Sequence, residues 1–346
     1  ETIVKDNGTY AYEADLGDSD DVPIIAVHFG NIFMGTEASA VFIDAIFQIS
    51  DEYISIESGD SYGVMEINTV SDEKITMENE DSISLNKGKV ASIMGKLKFI
   101  VADDSVLRFA PFVDMSEAGT YELRGTVAEE EFEWTPLNFE GFYYNIDEGI
   151  GTEKLEITEL SDRTIDDGDL VYTSTPEDVG FEYDDWGEFE VIGFMAEKYF
   201  AGYPENDFTD EVSLVSQGQL SEVLLDESDK TSLTSGTSLV LEEGYALRIV
   251  EVDVNGDTVY VSLTKDGDEV DDDIIASDGT YVYKMDVGDV DDVPVIAVHF
   301  QDVFQGTESS AVFVDGIFQI SDEYISVESG ETFDEMEVTS ISEDGI

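Results

Sequence analysis

The sequence predicts an all-β protein made of tandem β-sandwich domains, with short connecting segments and little helix. The first observation is an alternation of period two, which places β-branched and aromatic residues on one face of a segment and polar residues on the other. It recurs in TYAYEA, KLKFIVA, SLVLEE, ALRIVEVDV, TVYVSLT and TYVYKMD. Each of these segments is predicted to be a strand.

The second observation is the spacing of turn residues. Asn255-Gly256 lies between two predicted strands and supplies the positive φ values of a type I′ hairpin turn. Further turns are predicted at Asn86 to Gly88, Glu243-Gly244, Asp266-Gly267 and Asp278-Gly279. Short strands with a turn about every 8–12 residues are typical of β-sandwiches.

The third observation is the weakness of the helical signal. The best helix candidate is Val191 to Tyr203, VIGFMAEKYFAGY, which could form two turns. Its glycines lower helix propensity, so the all-β interpretation is favoured.

Composition limits the possible partners. The 346 residues are 42% hydrophobic, which is enough to build a core and too apolar for a disordered acidic tail. The 82 Asp and Glu residues against 15 Lys and Arg leave a net charge of −67, which excludes nucleic acid as a partner. The sequence has no cysteine, so it is neither disulfide-stapled nor a thiol enzyme.

No segment of the sequence reads as a membrane span or a signal peptide. A span needs about 18 or more apolar residues in a row, and residues 1–12 lack the basic start and apolar centre of a signal peptide. No membrane contact is therefore expected from this chain. Any targeting or anchoring segment is expected elsewhere in a longer protein.

A long internal repeat organises the sequence. The segment GTYAYEADLGDSDDVPIIAVHF, Gly8 to Phe29, returns as GTYVYKMDVGDVDDVPVIAVHF, Gly279 to Phe300, at an offset of 271 residues. The match runs without a gap from Ile3 and Ile274 to Ile75 and Ile346. A period of this length is too long for a solenoid repeat, so each unit is expected to be a large domain or a pair of smaller ones.

The repeat predicts three divisions of the chain. Residues 1–113 form the later part of one unit, a β-sandwich, and residues 114–271 form the first part of the next unit, another β-sandwich. Residues 272–346 repeat residues 1–75 and form a truncated second part of that next unit. The chain is therefore expected to be a fragment of a longer tandem protein.

Several long motifs carry a family resemblance. They are GTVAEEEFEWTPLNFEGFYYNIDEGIGTEKLEI (Gly125 to Ile157), GFMAEKYFAGY, LEEGYALRIVEVDVNGDTVYVSLTKDGDEVDD, VPVIAVHF and GIFQISDEYI. In this order they resemble the tandem duplication domain of the S-layer proteins of methanogenic archaea. The resemblance implies linked β-sandwiches, self-assembly into a porous lattice on the cell surface, export by a signal peptide and a C-terminal membrane anchor.

No catalytic constellation is visible in the sequence. The two histidines, His28 and His299, are one repeat position seen twice, and neither has a nucleophile or acid placed as a catalytic partner. Each is predicted to be a hydrogen-bonded structural residue. Glu37 and Asp44, with their copies Glu308 and Asp315, form a carboxylate pairing that 82 acids produce by chance. The prediction is that the protein is no enzyme and requires no cofactor.

Acidic turns are the candidate sites for cations. Hard oxygen ligands on loops suit Ca²⁺, although a plain solvated hairpin is the favoured interpretation and diffuse cation association comes before any single cage. The Asp253 loop resembles a calcium loop only loosely, because Thr264 stands where the bidentate Glu is expected. The candidate ligands are Asp18, Asp20, Asp21, Asp253, Asn255, Asp257, Asp289, Asp291 and Asp292.

Two surface features leave alternatives open. Asn7-Gly8-Thr9 is an N-glycosylation sequon on a predicted turn, which its copy at Asp278 lacks. Trp134, Tyr143 and Tyr144 belong to one aromatic cluster, and the aromatic residues from Tyr199 to Tyr203 form a second one. Core packing is the favoured fate of such rings, but an exposed cluster would indicate a surface adhesin or carbohydrate-binding module.

The leading hypothesis is a structural surface-layer glycoprotein located outside the cell. Its expected partner is further copies of itself, with which it forms a negatively charged, porous lattice that acts as a protective sieve. The adhesin is the alternative. A salt-adapted enzyme is a third possibility, but it requires converging polar groups that the sequence does not offer.

Overall fold

The computed structural model describes residues 3–4, 7–34, 39–116, 118–206, 208–305 and 310–346. The regular structure in these residues is almost entirely β-strand, which confirms the all-β fold with little helix. The helical elements of the described residues are two single-turn 3₁₀ helices, Asp184–Trp186 and Val215–Gln217.

The strands are numbered in chain order. The first nine are β1 Gly8–Leu16, β2 Ser19–Met34, β3 Ser39–Gln48, β4 Ser61–Tyr62, β5 Met65–Val70, β6 Ile75–Asn79, β7 Val90–Met94, β8 Leu97–Val101 and β9 Phe109–Val113. The next nine are β10 Glu133–Trp134, β11 Glu153–Ile157, β12 Leu170–Ser174, β13 Glu177–Gly180, β14 Glu188–Phe194, β15 Glu197–Tyr203, β16 Val212–Ser213, β17 Gln219–Glu227 and β18 Thr231–Thr234. The last nine are β19 Ser238–Val240, β20 Tyr245–Asp253, β21 Thr258–Lys265, β22 Asp268–Ala276, β23 Gly279–Val287, β24 Val290–Gln305, β25 Ser310–Ser326, β26 Thr332–Phe333 and β27 Met336–Glu337.

The chain forms two compact units. The first contains residues 1–84 and 91–99, and the second contains residues 85–90 and 100–346. The predicted repeat boundaries after residues 113 and 271 cannot be compared directly with these compact units. The boundaries mark where the sequence recurs, whereas the units mark where the chain is compact. The boundaries stay a prediction.

The first unit contains two three-stranded antiparallel sheets, in the orders β1-β2-β3 and β4-β5-β6. In the first of them β1 pairs with β2 from Gly8 opposite Phe29, and β2 pairs with β3 from Ile25 opposite Gln48. Within the described residues, the second edge of β3 has no strand beside it.

The second unit is built around a nine-stranded sheet. Its order is β13-β14-β15-β17-β25-β24-β23, with β16 beside β15 and β18 beside β25. A four-stranded sheet, β19-β20-β21-β22, packs on it through one buried apolar cluster that contains Ile249 and Val261 together with Val298 and Val314. Strands β23 to β25 therefore complete a core that the preceding segment begins.

Strand β24 is buried on both faces. Ile296 and Val298 belong to the cluster under the four-stranded sheet, whereas Val295 and Ala297 belong to a second cluster with Phe318. Two-sided burial explains why the segment VPVIAVHF is a continuous apolar run and does not alternate. A third cluster, with Ile192 and Leu220, lies on the other face of β14 and β15.

The best helix candidate, Val191 to Tyr203, is not helical, as the all-β interpretation expects. These residues form the hairpin β14-β15, which turns at Met195 and Ala196 with φ values of 52° and 73°. Non-glycine residues rarely adopt positive φ. Here the turn is held from outside, because the N–H of Ala196 donates to Glu153 Oε1 at 2.8 Å and that of Met195 donates to the Tyr172 hydroxyl at 3.2 Å.

The predicted type I′ turn at Asn255-Gly256 is wrong. The hairpin closes at the pair Asp253 and Thr258, which leaves a four-residue loop, and the positive φ of 51° is at Asp257. The side chain of Asp253 decides the shape, because its Oδ1 accepts hydrogen bonds from the N–H groups of Asn255 at 3.0 Å and Gly256 at 3.1 Å.

Candidate functional site

The repeated acidic turn joins β1 to β2 and, in the second copy, β23 to β24. Gly17 takes a φ of 58° and Gly288 takes the same value, and each turn ends in an Asp at positive φ, Asp21 or Asp292. The N–H of that Asp donates to a carboxylate of the preceding strand, Asp15 or Asp286, at 3.2 Å in both copies. The turn conformation therefore uses carboxylates that are not among the predicted ligands.

The predicted ligands of both acidic turns are exposed. They are Asp18, Asp20 and Asp21 in the first copy and Asp289, Asp291 and Asp292 in the second. Among the residues that the structure describes, no three His, Asp or Glu side chains are grouped closely enough to hold a metal ion. Exposed carboxylates on a strongly negative chain attract counter-ions without a formed cage. Calcium binding at these turns stays a prediction, as it does at Asp253, Asn255 and Asp257.

The second copy of the turn is fixed by a buried glutamine. The Gln219 side-chain Oε1 accepts a hydrogen bond from the N–H of Asp289 at 3.3 Å. Turning the amide over would let its NH₂ donate to the carbonyl of Val287 at 2.9 Å while its oxygen still accepts from Asp289. Gln219 is only 3% exposed. A side chain added at Gly288 would meet the Gln219 amide, so this turn requires glycine for space as well as for its positive φ.

The sequon residue Asn7 lies in an exposed turn before β1, with a φ of 55°. Its N–H donates to the carbonyl of Gly30 at 3.1 Å, and its Oδ1 lies 3.3 Å from His28 Nε2. The copy, Asp278, has a φ of 61° and places its carboxylate 3.7 Å from His299 Nε2. Both residues suit the left-handed conformation, because Asn and Asp tolerate it better than other side chains do. Glycosylation of Asn7 stays a prediction.

His299 is a buried, hydrogen-bonded residue. Its Nδ1 lies 2.6 Å from Asp315 Oδ1 and its Nε2 lies 3.2 Å from the Tyr183 hydroxyl. The Tyr183 ring stacks on the imidazole with centroids 4.5 Å apart. Burial, helped by the charge of Asp315, raises the pKa of Tyr183 to about 12, so this hydroxyl is protonated at neutral pH. The arrangement positions the ring and presents no free nucleophile.

His28 has different partners from its copy. Its Nδ1 lies 2.9 Å from the Thr9 hydroxyl, and its Nε2 meets Asn7 as described above. The prediction of hydrogen-bonded structural histidines therefore agrees with both positions. Of the carboxylate pairing, Asp44 lies close beside Gly30 and Asp315 holds His299. Glu37 and Glu308 lie outside the described residues.

Half-buried carboxylates are crowded in the second unit. Burial raises the pKa of Asp226 to about 6, although the N–H of Glu182 donates to it at 3.0 Å and the charge of Lys198 lowers the pKa. Burial likewise raises the pKa of Glu148, against the charge of Lys198. Lys198 therefore offsets the charge of both carboxylates, and Arg108 adds to this effect at Glu148.

A second carboxylate pair lies across strands β13 and β14. Asp178 is directly opposite Glu190. Burial is the main cause of a raised pKa at Glu190, and the charge of Asp178 adds to it. Like charges in opposed positions destabilise a sheet. Neutralising this pair should therefore favour the folded state.

The few cations form specific pairs. Lys265 on β21 pairs with Asp322 on β25, and the Tyr245 hydroxyl donates to the same carboxylate at 2.7 Å. The Lys265 Nζ also lies 4.8 Å from the centre of the Tyr245 ring. This contact joins the four-stranded sheet to the nine-stranded sheet. Sequence reasoning missed it because Lys265 and Asp322 are distant in the chain.

The aromatic clusters are only in part surface features. Phe200 and Tyr203 are fully buried, and the Tyr203 hydroxyl donates to the carbonyl of Pro294 at 2.8 Å. Trp134 is half-buried, and its Nε1 donates to the carbonyl of Thr126 at 2.8 Å. Tyr143 is also half-buried, and burial raises its pKa to about 12. This burial counts against a sugar-binding platform.

In the described part of the chain, no helix has the length and apolar character needed to cross a bilayer.

One family profile and three relatives with the same name match this chain. The family profile described as "S-layer protein" matches residues 1–103 and 124–346. A "Major S-layer protein" of Methanosarcina barkeri is 34% identical over 98% of this chain and 51% of its own length. A "Major S-layer protein" of Methanosarcina mazei is 35% identical over 95% of this chain and 50% of its own length.

A third relative, the "Major S-layer protein" of Methanosarcina acetivorans, is 34% identical over 95% of this chain. The chain spans about half the length of these curated relatives. The match of the family profile covers both copies of the internal repeat and nearly all of the sequence between them. The chain therefore belongs to the S-layer protein family.

Proposed function

We propose that this chain is a structural part of a surface-layer protein, located outside the cell, that assembles with copies of itself into a porous lattice. The observation that carries the proposal is the family match over residues 1–103 and 124–346, with relatives that are each named a major S-layer protein. The protective sieve inferred from the sequence is the role that such a lattice would have.

The packing of the second unit supports a rigid tile. Its central strand β24 is buried on both faces, and the Lys265–Asp322 contact ties the two sheets together across the core. Two-sided burial and cross-sheet pairs restrict relative movement of the layers. A rigid tile keeps the spacing of its neighbours constant, which a regular lattice requires.

The charge supports a selective pore wall. A net charge of −67 on one chain would place a strong negative potential in narrow gaps between molecules. At about 0.15 M salt the Debye length is about 8 Å, so only gaps of a comparable size would exclude anions. We propose that such pores concentrate cations and repel anions, and that high salt removes the selectivity.

The exposed acidic turns support a role for cations in assembly. Like-charged tiles repel one another unless counter-ions lie between them. Asp289, Asp291 and Asp292 project from the β23-β24 turn and are exposed, so they could share Ca²⁺ or another cation with a neighbouring copy. We propose bridging of this diffuse kind and no internal cofactor.

We also propose that the chain catalyses no reaction. In the described residues both histidines are held by hydrogen bonds that fix the rings, and no metal-binding group of side chains is assembled. An enzyme that uses a nucleophile would need a free base beside it, and a metalloenzyme would need a bound metal.

The proposal is tested by sedimentation of the purified chain as Ca²⁺ is raised at low salt. Assembly should appear as a pelleting species, and the triple variant Asp289→Asn, Asp291→Asn and Asp292→Asn should shift the Ca²⁺ concentration that is required. The matched control replaces the same number of exposed acids elsewhere, Glu251→Gln, Asp268→Asn and Glu331→Gln, which preserves net charge between the two variants. A chain that stays monomeric at all Ca²⁺ concentrations contradicts the proposal.

A further inference from the structure

The two copies of the repeat fold alike but differ in what covers them. Strands β1 to β3 and β23 to β25 have the same register, with Gly8 opposite Phe29 in one copy and Gly279 opposite Phe300 in the other. Both copies place a bulge at the same position, after His28 and after His299. Strands β1–β3 and strands β23–β25 therefore have equivalent structures in different surroundings.

Burial separates the two copies. In the first copy, exposure is 47% at Val41, 52% at Ile43, 71% at Ile46 and 57% at Phe47. At the equivalent positions of the second copy it is 0% at Val312, 0% at Val314, 6% at Ile317 and 0% at Phe318. Contiguous apolar residues at this exposure mark an interaction surface and not a solvated sheet face.

Three contacts cover the second copy. The four-stranded sheet β19 to β22 buries Val312 and Val314 on one face. Residues of β13 to β15 bury the other face, where the Phe318 ring lies 4.8 Å from the rings of Phe181 and Phe189. Strands β17 and β18 pair with the edge of β25 that β24 does not occupy, for example Leu233 with Val312.

We propose that the β1–β3 sheet docks a polypeptide segment that resembles residues 177–276, supplied on the N-terminal side of residue 1 in the same polypeptide. Strands of this segment would pair with the open edge of β3, as β17 and β18 pair with β25. Its four-stranded sheet would cover Val41 and Ile43, and its β13–β15 equivalent would cover Phe47.

The side chains on both exposed faces of the β1–β3 sheet fit this occupant. Val41, Ile46 and Phe47 are identical to Val312, Ile317 and Phe318, and Ile43 differs from Val314 by one methylene. A core tolerates such a small change in volume, whereas it rejects a partner of different shape. Both faces of the β1–β3 sheet have therefore kept the side chains against which residues 177–276 pack in the second copy.

The connection between elements favours a covalent source. In the second copy β22 ends at Ala276 and β23 begins at Gly279, so the covering sheet enters β23 through two residues. The repeat match extends back to Ile3, which is equivalent to Ile274 in β22. The curated relatives are also about twice as long as this chain. An upstream cover would thus be the direct continuation of residues 3–4.

The experiment extends the full chain at its N-terminus with a second copy of residues 114–271. No linker is needed, because residue 272 is the repeat equivalent of Glu1. Hydrogen exchange of the β1–β3 peptides is measured by mass spectrometry in the original and the extended chain, with analytical ultracentrifugation in parallel. The control carries the same extension with the copied Val261→Asp and Leu263→Asp, which places charges on the covering face.

The extended chain should be monomeric and its β1–β3 amides should exchange roughly 100-fold more slowly than those of the original chain. The control extension should leave exchange fast, and Ile46→Asp in the extended chain should abolish the gain. Unchanged exchange in an extended chain whose added copy is itself protected overturns the proposal. An original chain that dimerises and already protects β1–β3 also overturns it, because a second copy then covers the face.

Discussion

Phe47 and Phe318 occupy the same position of the repeat, yet Phe318 is completely buried and Phe47 is 57% exposed. The Phe318 ring contacts an aromatic cluster that includes Phe181 and Phe189, while the Phe47 ring lies on an open sheet face. The same side chain in the same local structure should therefore make very different contributions to stability.

The substitution Phe318→Ala should lower the free energy of unfolding of the second unit by about 3–5 kcal/mol, because it opens a cavity in a close-packed core. Phe47→Ala should change stability by less than about 0.5 kcal/mol, as expected of an exposed position. Urea denaturation followed by tryptophan fluorescence measures the first, since Trp186 belongs to the same cluster as Phe318. Equal effects of the two substitutions would contradict the difference in burial.

Glu153→Gln should destabilise the second unit by about 2–3 kcal/mol, measured by thermal and chemical unfolding. Glu153 is 1% exposed and accepts from the N–H of Tyr143 at 2.7 Å, the Tyr172 hydroxyl at 2.9 Å and the N–H of Ala196 at 2.8 Å. The glutamine side chain would place its NH₂ group, a hydrogen-bond donor, among three groups that are themselves donors, so at least one of these hydrogen bonds would be lost. Glu251→Gln, on the exposed side of β20, is the matched control and should be neutral. A neutral Glu153→Gln would show that the carboxylate does not hold the Met195–Ala196 turn.

Stability should increase as pH falls from 7.5 to about 5. Burial raises the pKa of Asp226 to about 6 and also raises that of Glu190. A group with a raised folded-state pKa contributes stability that is complete below its unfolded pKa and is lost as pH rises through the folded value. Asp226→Asn keeps the acceptor for the N–H of Glu182 and should reduce the pH dependence. A melting temperature that falls from pH 7.5 to 5 would contradict this account.

Below about pH 4 the trend should reverse. The Lys265 charge and the Tyr245 hydroxyl hold the pKa of Asp322 below its usual range, although burial opposes this. A lowered folded-state pKa gives stability that is present above the unfolded pKa and is lost as pH falls through the folded value. In a pH series of melting temperatures, Asp322→Asn should remove part of the acid-side loss, and a wild-type curve that rises without a maximum would contradict it.

The Lys265–Asp322 pair should show a coupling energy of about 1–3 kcal/mol in a double-mutant cycle with Lys265→Met and Asp322→Asn. The carboxylate is nearly buried, so removing its cation leaves a poorly solvated charge. Lys154 offers a control, because its contacts with Glu133 and Glu156, both 2.9 Å, involve carboxylates that are 48% and 38% exposed, against 9% for Asp322. The cycle of Lys154→Met and Glu133→Gln should give a coupling below about 1 kcal/mol. Similar couplings would contradict the effect of burial.

Local patterns predicted the strands well and one class of turns correctly. Glu243-Gly244 and Asp266-Gly267 have positive φ at both residues, as a type I′ turn requires. The failures came from side chains elsewhere in the chain or next to the turn. Glu153 holds the turn at Ala196 from 43 residues away, and the Asp253 carboxylate replaces the expected Asn-Gly conformation with a longer loop.

Features of the candidate site could be predicted from the sequence only where the two copies of the repeat can be compared. The repeat correctly identified His28 and His299 as one position and implied structural roles for them. It could not reveal the different burial of Phe47 and Phe318, because burial depends on segments outside the repeated strands. The available signal was the segment that precedes the second copy, because residues 177–276 supply the strands that cover Phe318.

Electron microscopy of the purified chain at low salt, with and without Ca²⁺, tests the lattice most directly. We expect flat sheets with a single repeating spacing when the cation is present, and their dispersal when it is chelated. Isolated particles under all conditions, or aggregates without any repeating spacing, would contradict assembly of this chain into a surface layer.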